Sequence, residues 1–436
     1  MNATRCIKYG MISALLGIFV TGFYLSTIGE EKTAPGANPK FEWVAAQREK
    51  MREDAKGGHK SPARDGEIAP IGGSRQQLNA SERAHIFYYP WYGNPQYDGG
   101  KYYHWNHEYL QHWDKNVAER WPKGRHTPPD DIGASFYPQL GAYSSADMSV
   151  MRQHMEWIAE SGVGVVAVSW YPDGLSDGQG HSWASLIPAL LEEADKFGLK
   201  IALHVEPYKD RTVTTLRADL QFIQEHYGSH RAFYRIQRAD GRRLPLIYVY
   251  DSYLIEKNEW QTLLKADGAK TIRNTPFDAV LIGLLVKNED RYMLQESGFD
   301  GIYTYFAAER FTYGSITKNW PNLRVFTKRY KMLFIPSVGP GYDDTRVRPW
   351  NGENMRGRED GAYYRRQFNA AMDVGADCIS ITSFNEWHEG TQIEPAVPKT
   401  DIVNNFVYKT YNQGPNQYLA LTRSLLSEFA PPTSAQ

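Results

Sequence analysis

From residue 85 onward, short apolar runs alternate with longer amphipathic segments. The runs fall at 85–89, 163–170, 200–205, 244–250, 279–286, 301–306, 333–338 and 378–384. Each is apolar almost throughout rather than at every second position, which is the pattern of strands covered on both faces. The segments between them carry helical spacing. In 147–161, for example, Met148, Met151, Met155, Trp157 and Ile158 recur along one face, and 185–197 and 216–227 are two more such segments. This alternation of strands and helices predicts an α/β fold, a single (β/α)8 TIM barrel over residues 84–430 with some long loops. No solenoid-like internal repeat is present.

The pattern upstream is different. Residues 1–8 form a short basic tail, and 9–28 carry no charge, about the length needed to cross a bilayer as a helix. Arg5 and Lys8 precede this span and Glu30 and Glu31 follow it, which predicts a cytosolic N-terminus. A cleaved signal peptide is the rival reading, but Ser26-Thr27-Ile28-Gly29 is a poor cleavage site, so 9–28 is expected to be an uncleaved transmembrane signal anchor. Residues 29–83 are rich in Pro, Gly and charge and are expected to be a flexible lumenal stem, with a transient helix over 50–56. Asn79-Ala80-Ser81 is a glycosylation sequon on the lumenal side, whereas the Asn2 sequon lies on the cytosolic side. Of the two cysteines, Cys6 sits beside the membrane and is a candidate for palmitoylation, and Cys378 is expected to be a small core residue. The membrane separates the two, so no intrachain disulfide is expected.

Composition narrows the partners. The 436 residues carry 49 Lys and Arg against 50 Asp and Glu, a net charge of -1 that argues against a nucleic-acid surface. A hydrophobic content of 42% supports a sizeable core. The 29 Tyr and 12 Trp are suited to stacking on sugars, although they fill cores equally well.

In a parallel barrel, chemistry gathers on the loops after the strands. Polar and aromatic clusters stand at those positions: residues 90–95 and 102–107, 170–172, 206–208, Asp251, 303–305, 339–342 with 348–350, and 385–389. Together they describe an aromatic-walled, acid-floored cleft for a neutral carbohydrate. The last cluster holds Glu386 and Glu389, two carboxylates three residues apart beside Trp387, which suits the paired acids of glycoside hydrolysis. Taken alone, such a pair is as compatible with solvated loop charges. The candidate catalytic residues are Glu386 and Glu389. The candidate substrate-binding residues are Tyr92, His104, Trp105, Tyr171, Glu206, Tyr305, Arg348, Asn385 and Trp387. Glu206 has a bland alternative, a strand-end acid paired with a neighbouring base. His388 is expected to be a structural hydrogen-bonding residue. His104 and His107 have the spacing of a metal pair but no third ligand nearby, so neither a metal nor a cofactor is expected. No phosphate-binding glycine motif and no serine-hydrolase elbow follows any strand.

With these residues assembled, the chain resembles glycoside hydrolase family 99. The resemblance runs from His85 to about Leu426. It is carried by FYYPWYGNP (87–95), VSWYP (168–172), HVEPY (204–208), YVYDSY (248–253), GFDGIYTYF (298–306), IPSVGPGY (335–342) and SFNEWHEGTQIEP (383–395). It implies a metal-free retaining endo-α-1,2-mannosidase that trims glucosylated high-mannose N-glycans and releases a glucosyl-mannose saccharide. It also implies a type II Golgi membrane enzyme with its barrel in the lumen. On the matching motif it gives Glu389 the general acid/base role. Glu386 takes the role of deprotonating the sugar's own 2-hydroxyl, which attacks C1 to form a 1,2-anhydro intermediate. Spacing alone would make one glutamate an ordinary nucleophile. The loop at 173–181 departs from the family's pattern, in a region expected to touch the non-reducing glucose. A close paralogue shares the motifs. The reading from a different class is a catalytically inactive, lectin-like glycan-binding barrel in the secretory pathway. Two intact glutamates weigh against it.

Overall fold

The structure, a computed structural model, describes residues 81–429. The expected tail (1–8), anchor (9–28) and stem up to residue 80, with Cys6, the helix over 50–56 and the Asn79 sequon, lie outside the described residues. Among the described residues no helix is long and apolar enough to cross a membrane.

Eight parallel strands alternate with eight helices. The strands are β1 (Ser81–Tyr88), β2 (Val163–Trp170), β3 (Lys200–Val205), β4 (Arg243–Val249), β5 (Val280–Leu284), β6 (Gly301–Tyr303), β7 (Leu333–Ile335, resuming as Ser337–Val338) and β8 (Ile379–Ile381). The helices that follow them are α1 (Met148–Glu160), α2 (Ile187–Lys196), α3 (Val213–His226), α4 (Lys257–Leu264), α5 (Asp290–Ser297), α6 (Trp320–Arg329), α7 (Ala362–Asp373) and α8 (Gln417–Glu428). Each strand pairs with its chain neighbour, and β8 closes on β1 in the register Ala84–Ile379, His85–Ser380 and Ile86–Ile381. Pro336 has no N–H to give the ladder and divides β7. The first piece of β7 pairs with β6 and the second with β8, so the ring closes through this strand.

Local chemistry sets the element ends. Asp147 caps α1 by accepting from the Ser149 N–H. α3 starts three residues before the expected 216 because Thr212 and Thr215 form a capping box. Strands β5, β6 and β8 stop short of their apolar runs, as the chain there turns away to make the rim. At Tyr305 the backbone is already left-handed, with φ 53°. β1 begins at Ser81, ahead of the expected start at 84–85. Its Ser81 N–H reaches the Gly162 carbonyl at 2.9 Å. Gly164 permits that approach, since a Cβ there would lie 2.5 Å from the Ser81 carbonyl carbon.

The barrel interior is filled with aromatic rings. Phe87 packs against His204, Tyr248 and Tyr305 at centroid distances of 4.8, 5.4 and 5.2 Å. Several polar atoms among them are paired, as burial favours. His85 Nδ1 meets the Tyr248 hydroxyl at 2.5 Å, His204 Nε2 meets that of Tyr303 at 2.8 Å, and Ser337 meets Ser380 at 2.8 Å. Cys378 is buried, and burial pushes its thiol up to about 12, which makes it an inert core residue. At the top of the barrel the long β1–α1 loop is tied to the loop after β8 by a short antiparallel pairing of Tyr137–Pro138 with Ala396–Val397.

Candidate active site

The loop after β8 folds back on itself. The Ser383 N–H donates to the Thr391 carbonyl at 2.9 Å, and the N–H groups of Ile393 and Glu394 donate to the Phe384 carbonyl at 3.1 and 2.9 Å. The Ser383 hydroxyl accepts the Glu386 N–H at 2.7 Å, which fixes the turn that presents Glu386. Gly390 makes the second turn at φ 59°, where a Cβ would lie 2.8 Å from the Asp343 carbonyl oxygen. The Arg358 guanidinium donates to the carbonyls of Gly390 and Gln392 at 2.9 and 2.7 Å, with the rings of Phe136, Tyr411 and Tyr418 around it.

This frame holds Glu386 and Glu389 almost out of solvent, at 1% and 4% exposure. Burial pushes the Glu386 carboxyl well above its ordinary range. The Glu389 charge adds to the rise, and the His388 N–H, donating to Oε1 at 3.0 Å, opposes it. Burial also lifts Glu389, to about 7, against the pull of the Arg348 guanidinium and with a push from Asp344. The Glu389 charge thus raises Glu386, and burial lifts both; a carboxyl lifted in this way keeps its proton to higher pH than a free one and is suited to acid as well as base chemistry.

The predicted site residues divide into two sets. Tyr92, Tyr305 and Arg348 are close enough to the glutamates to feel their charge, and His104 lies beside His388, with ring centroids 5.6 Å apart. Burial raises the hydroxyls of Tyr92 and Tyr305, and the nearby glutamate charges raise them further. Tyr305 also shares a very short hydrogen bond with Tyr89. Arg348 donates to Asp344 at 3.0 Å; burial works against its charge, but Asp344, Tyr342 and Glu389 hold its pKa above the ordinary value. His104, at a left-handed φ of 62°, stacks on Trp91 at 4.4 Å and places Nε2 3.0 Å from Asp177. Burial opposes the Asp177 charge, yet His104 holds its pKa below the usual carboxylate value. Tyr171 and Glu206 each follow directly on a strand, β2 and β3. Glu206 accepts from the Ser169 hydroxyl at 2.8 Å and lies 3.3 Å from His204 Nδ1, a fixed pairing at a strand end. The Tyr171 hydroxyl is raised by burial and by the charge of Glu206.

Trp105, Asn385 and Trp387 are wholly enclosed. Asn385 bonds both ways to the Tyr89 backbone, at 2.8 and 2.9 Å, and imitates a strand partner. The Trp105 indole donates to the Tyr143 carbonyl at 2.7 Å. The Trp387 backbone N–H donates to the Tyr92 hydroxyl at 3.1 Å, and its indole N–H donates to Glu394 at 2.9 Å. These three residues hold the acid loop from behind.

His388 carries Nδ1 2.8 Å from the Gly133 carbonyl, and burial together with the neighbouring histidines holds it well below its ordinary pKa, so it stays neutral. His107 is likewise depressed to about 3 by burial, with Nδ1 2.7 Å from the Glu108 carbonyl. Among the described residues no group of three His, Cys, Asp or Glu side chains is placed to hold a metal.

Sequence reasoning did not single out Glu394 or Asp344, and it named Asp251 only as the polar residue after its strand. Glu394 has no exposure and accepts from Trp387, from the Tyr143 hydroxyl at 2.9 Å, and lies 3.2 Å from His154 Nε2. Asp251 ends β4 in a left-handed conformation, and burial lifts it to about 7. The signal available for Asp344 and Asp251 was their position just after a barrel strand.

Aromatic side chains packed around two buried carboxylates on the loop after the last strand of a TIM barrel suit a carbohydrate-cleaving enzyme. The profile of glycosyl hydrolase family 99 matches residues 79–431, so the chain belongs to that family and is a glycoside hydrolase. It is 51% identical over 346 residues to the glycoprotein endo-α-1,2-mannosidase of Xenopus laevis, spanning 79% of this chain and 76% of that one. It is 46% identical over 355 residues to the glycoprotein endo-α-1,2-mannosidase-like protein of Mus musculus, spanning 81% and 78%. The solved structure of the family 99 endo-α-mannosidase from Bacteroides thetaiotaomicron superposes with a TM-score of 0.73 at 42% identity, covering 80% of this chain and 98% of that one.

Proposed function

We propose that this glycoside hydrolase is an endo-α-1,2-mannosidase that trims glucosylated high-mannose N-glycans on glycoproteins and releases a glucosyl-mannose saccharide. The observation that carries this reading is the coupled Glu386–Glu389 pair, enclosed and flanked by Arg348, on a chain about half identical to proteins of that name. In this reading Glu389, lifted to about 7, is the acid that protonates the leaving oxygen and later the base. Glu386 removes the proton from the mannose 2-hydroxyl, whose oxygen attacks C1 as the C1–O bond to the leaving sugar breaks. Water then opens the 1,2-anhydro ring with retention. Tyr92, Tyr305, Tyr171, His104, Glu206 and Arg348 line the path of the sugar. The enclosed carboxylates give no support to an inert lectin-like barrel, since burying two like charges with no chemistry for them only destabilises the fold.

The uncharged span at 9–28 and the basic residues before it support a type II anchor, with the barrel in the Golgi lumen where such glycans pass. Protection of a C-terminal tag from protease in sealed vesicles is the expected result, and a digested tag would refute this topology. The test of the activity is incubation of the purified protein with a monoglucosylated high-mannose N-glycan, with products read by mass. Release of a glucosyl-mannose disaccharide supports the reading, and release of single hexoses or of nothing rejects it.

A further inference from the structure

The loop after β7 carries a buried ion pair. Arg348 Nη1 donates to Asp344 Oδ2 at 3.0 Å, and the Arg348 backbone N–H donates to the Asp344 carbonyl at 2.6 Å, so the two residues close one tight turn. The Asp344 carboxylate takes further hydrogen bonds. Asn351 Nδ2 donates to its Oδ1 and Oδ2 at 3.0 and 2.9 Å, and the Tyr342 hydroxyl donates to Oδ2 at 2.9 Å. Every one of these partners is a donor, the set that an ionised carboxylate accepts from. Burial raises Asp344, and Arg348, Asn351 and Tyr342 pull it back. Asp344, Arg348 and Asn351 are all enclosed, so removing one partner would strand a buried charge.

The same loop is fastened to the loop that bears the glutamates. The Asp343 N–H donates to the Glu389 carbonyl at 2.7 Å, and Lys409 Nζ donates to Asp343 Oδ2 at 2.5 Å. Asp343 precedes Asp344, so the ion pair is delivered to Glu389 as part of a fixed frame. Ionisable groups reach Glu389 from several sides. Glu386 shares its loop, and Asp344, Arg348 and Tyr342 come from the loop after β7. Tyr305 comes from the loop after β6, Tyr250 follows β4 and Tyr89 follows β1. Burial holds all four tyrosines well above their ordinary value, so they stay neutral. Within the frame supplied by β7, two opposed charges remain: Arg348 lowers Glu389 and Asp344 raises it.

We propose that Asp344 is a positioning residue for the acid: it fixes the Arg348 guanidinium within reach of Glu389 and offsets part of its charge there, so that Glu389 meets a paired cation instead of a bare one. The proposal rests on the endo-mannosidase reading, in which Glu389 donates the proton, and adds the device that keeps that proton in place. Its test is the pH dependence of kcat on a monoglucosylated high-mannose N-glycan. Asp344→Asn leaves Arg348 unopposed and should move the alkaline limb down by about one pH unit, the low end of the range for a charge change beside a carboxyl. The loss of kcat should therefore grow by roughly tenfold between about pH 5.5 and about pH 8. Arg348→Met should move the limb the opposite way. The double variant Asp344→Asn/Arg348→Met strands no buried charge, so it carries the test even where the single variant does not fold. Its limb should lie below that of Arg348→Met. A loss that is the same at every pH, an unmoved limb, or a double variant that matches Arg348→Met makes Asp344 a structural residue and overturns the proposal alone. Wild-type protein that leaves the glycan uncut overturns the functional reading, and the proposal with it.

Discussion

The indole N–H of Trp387 donates to the carboxylate of Glu394 at 2.9 Å, with both side chains shut away from solvent. Seven residues apart in sequence, they close the acid loop as a ring, and the Tyr143 hydroxyl and His154 complete the acceptor's shell. Trp387 is thereby tied into the loop that carries Glu386 and Glu389. Trp387→Phe and Glu394→Gln should each destabilise the fold by about 1–3 kcal/mol, the usual cost of orphaning a buried hydrogen-bonding group. Denaturant unfolding measures this, and kcat should fall more than KM rises. A selective rise in KM with unchanged stability would restore Trp387 to the sugar side.

The two glutamates should separate by leaving group. Glu389→Gln should lower kcat on natural glycans by about a hundred- to ten-thousand-fold, the range for a lost general acid, and spare the first step on substrates with a good leaving group. Glu386→Gln should cripple both kinds, because attack by the 2-hydroxyl is needed in either case. A substrate lacking that hydroxyl should bind wild-type enzyme without reacting. Peptide mass spectrometry that found a glycosyl ester on Glu386 would replace neighbouring-group attack with an ordinary nucleophile and leave the glycosidase intact.

Activity should fall as pH rises through about 7, where Glu389 gives up the proton it must donate. Arg348 pulls that carboxyl down, so Arg348→Met should move the alkaline limb of kcat to higher pH, and Glu389→Gln should remove it. Stability carries the same signature. The folded pKa stands above the ordinary value of 4.5, so between about 4.5 and 7 the folded state holds more protons than the unfolded state and stability declines as pH rises. Glu389→Gln should flatten this slope in a Tm-against-pH series, and an unchanged slope would show that Glu389 is not the group responsible.

The N-terminal edge of the barrel should be sensitive to a few residues. Arg83 donates to the carbonyls of Asp377 and Ala376 at 3.0 and 2.8 Å and lies 4.0 Å from the centre of the Phe429 ring, tying the start of β1 to the residues before β8 and to the residue after α8. A fragment beginning at residue 79 should fold and act. One beginning at residue 84 should be less stable by about 1–3 kcal/mol, from the lost charged hydrogen bonds. Equal melting temperatures for the two fragments would place the edge at 84.

The order of strands and helices was legible in the chain because burial on both faces writes a continuous apolar run, and helix packing writes a 3.6-residue period; both are local signals. The same holds for the place of Glu386 and Glu389, since a barrel puts chemistry after its strands. Tertiary structure decided what each candidate touches: Trp105, Asn385 and Trp387 meet Tyr143, Tyr89 and Glu394. It also decided the acidity of Glu389, which depends on burial and on Arg348 and Asp344 from the loop after another strand. Such effects fall off over a few ångströms in space and leave no period in sequence, so only the closed barrel, by bringing β7 beside β8, brings them into being.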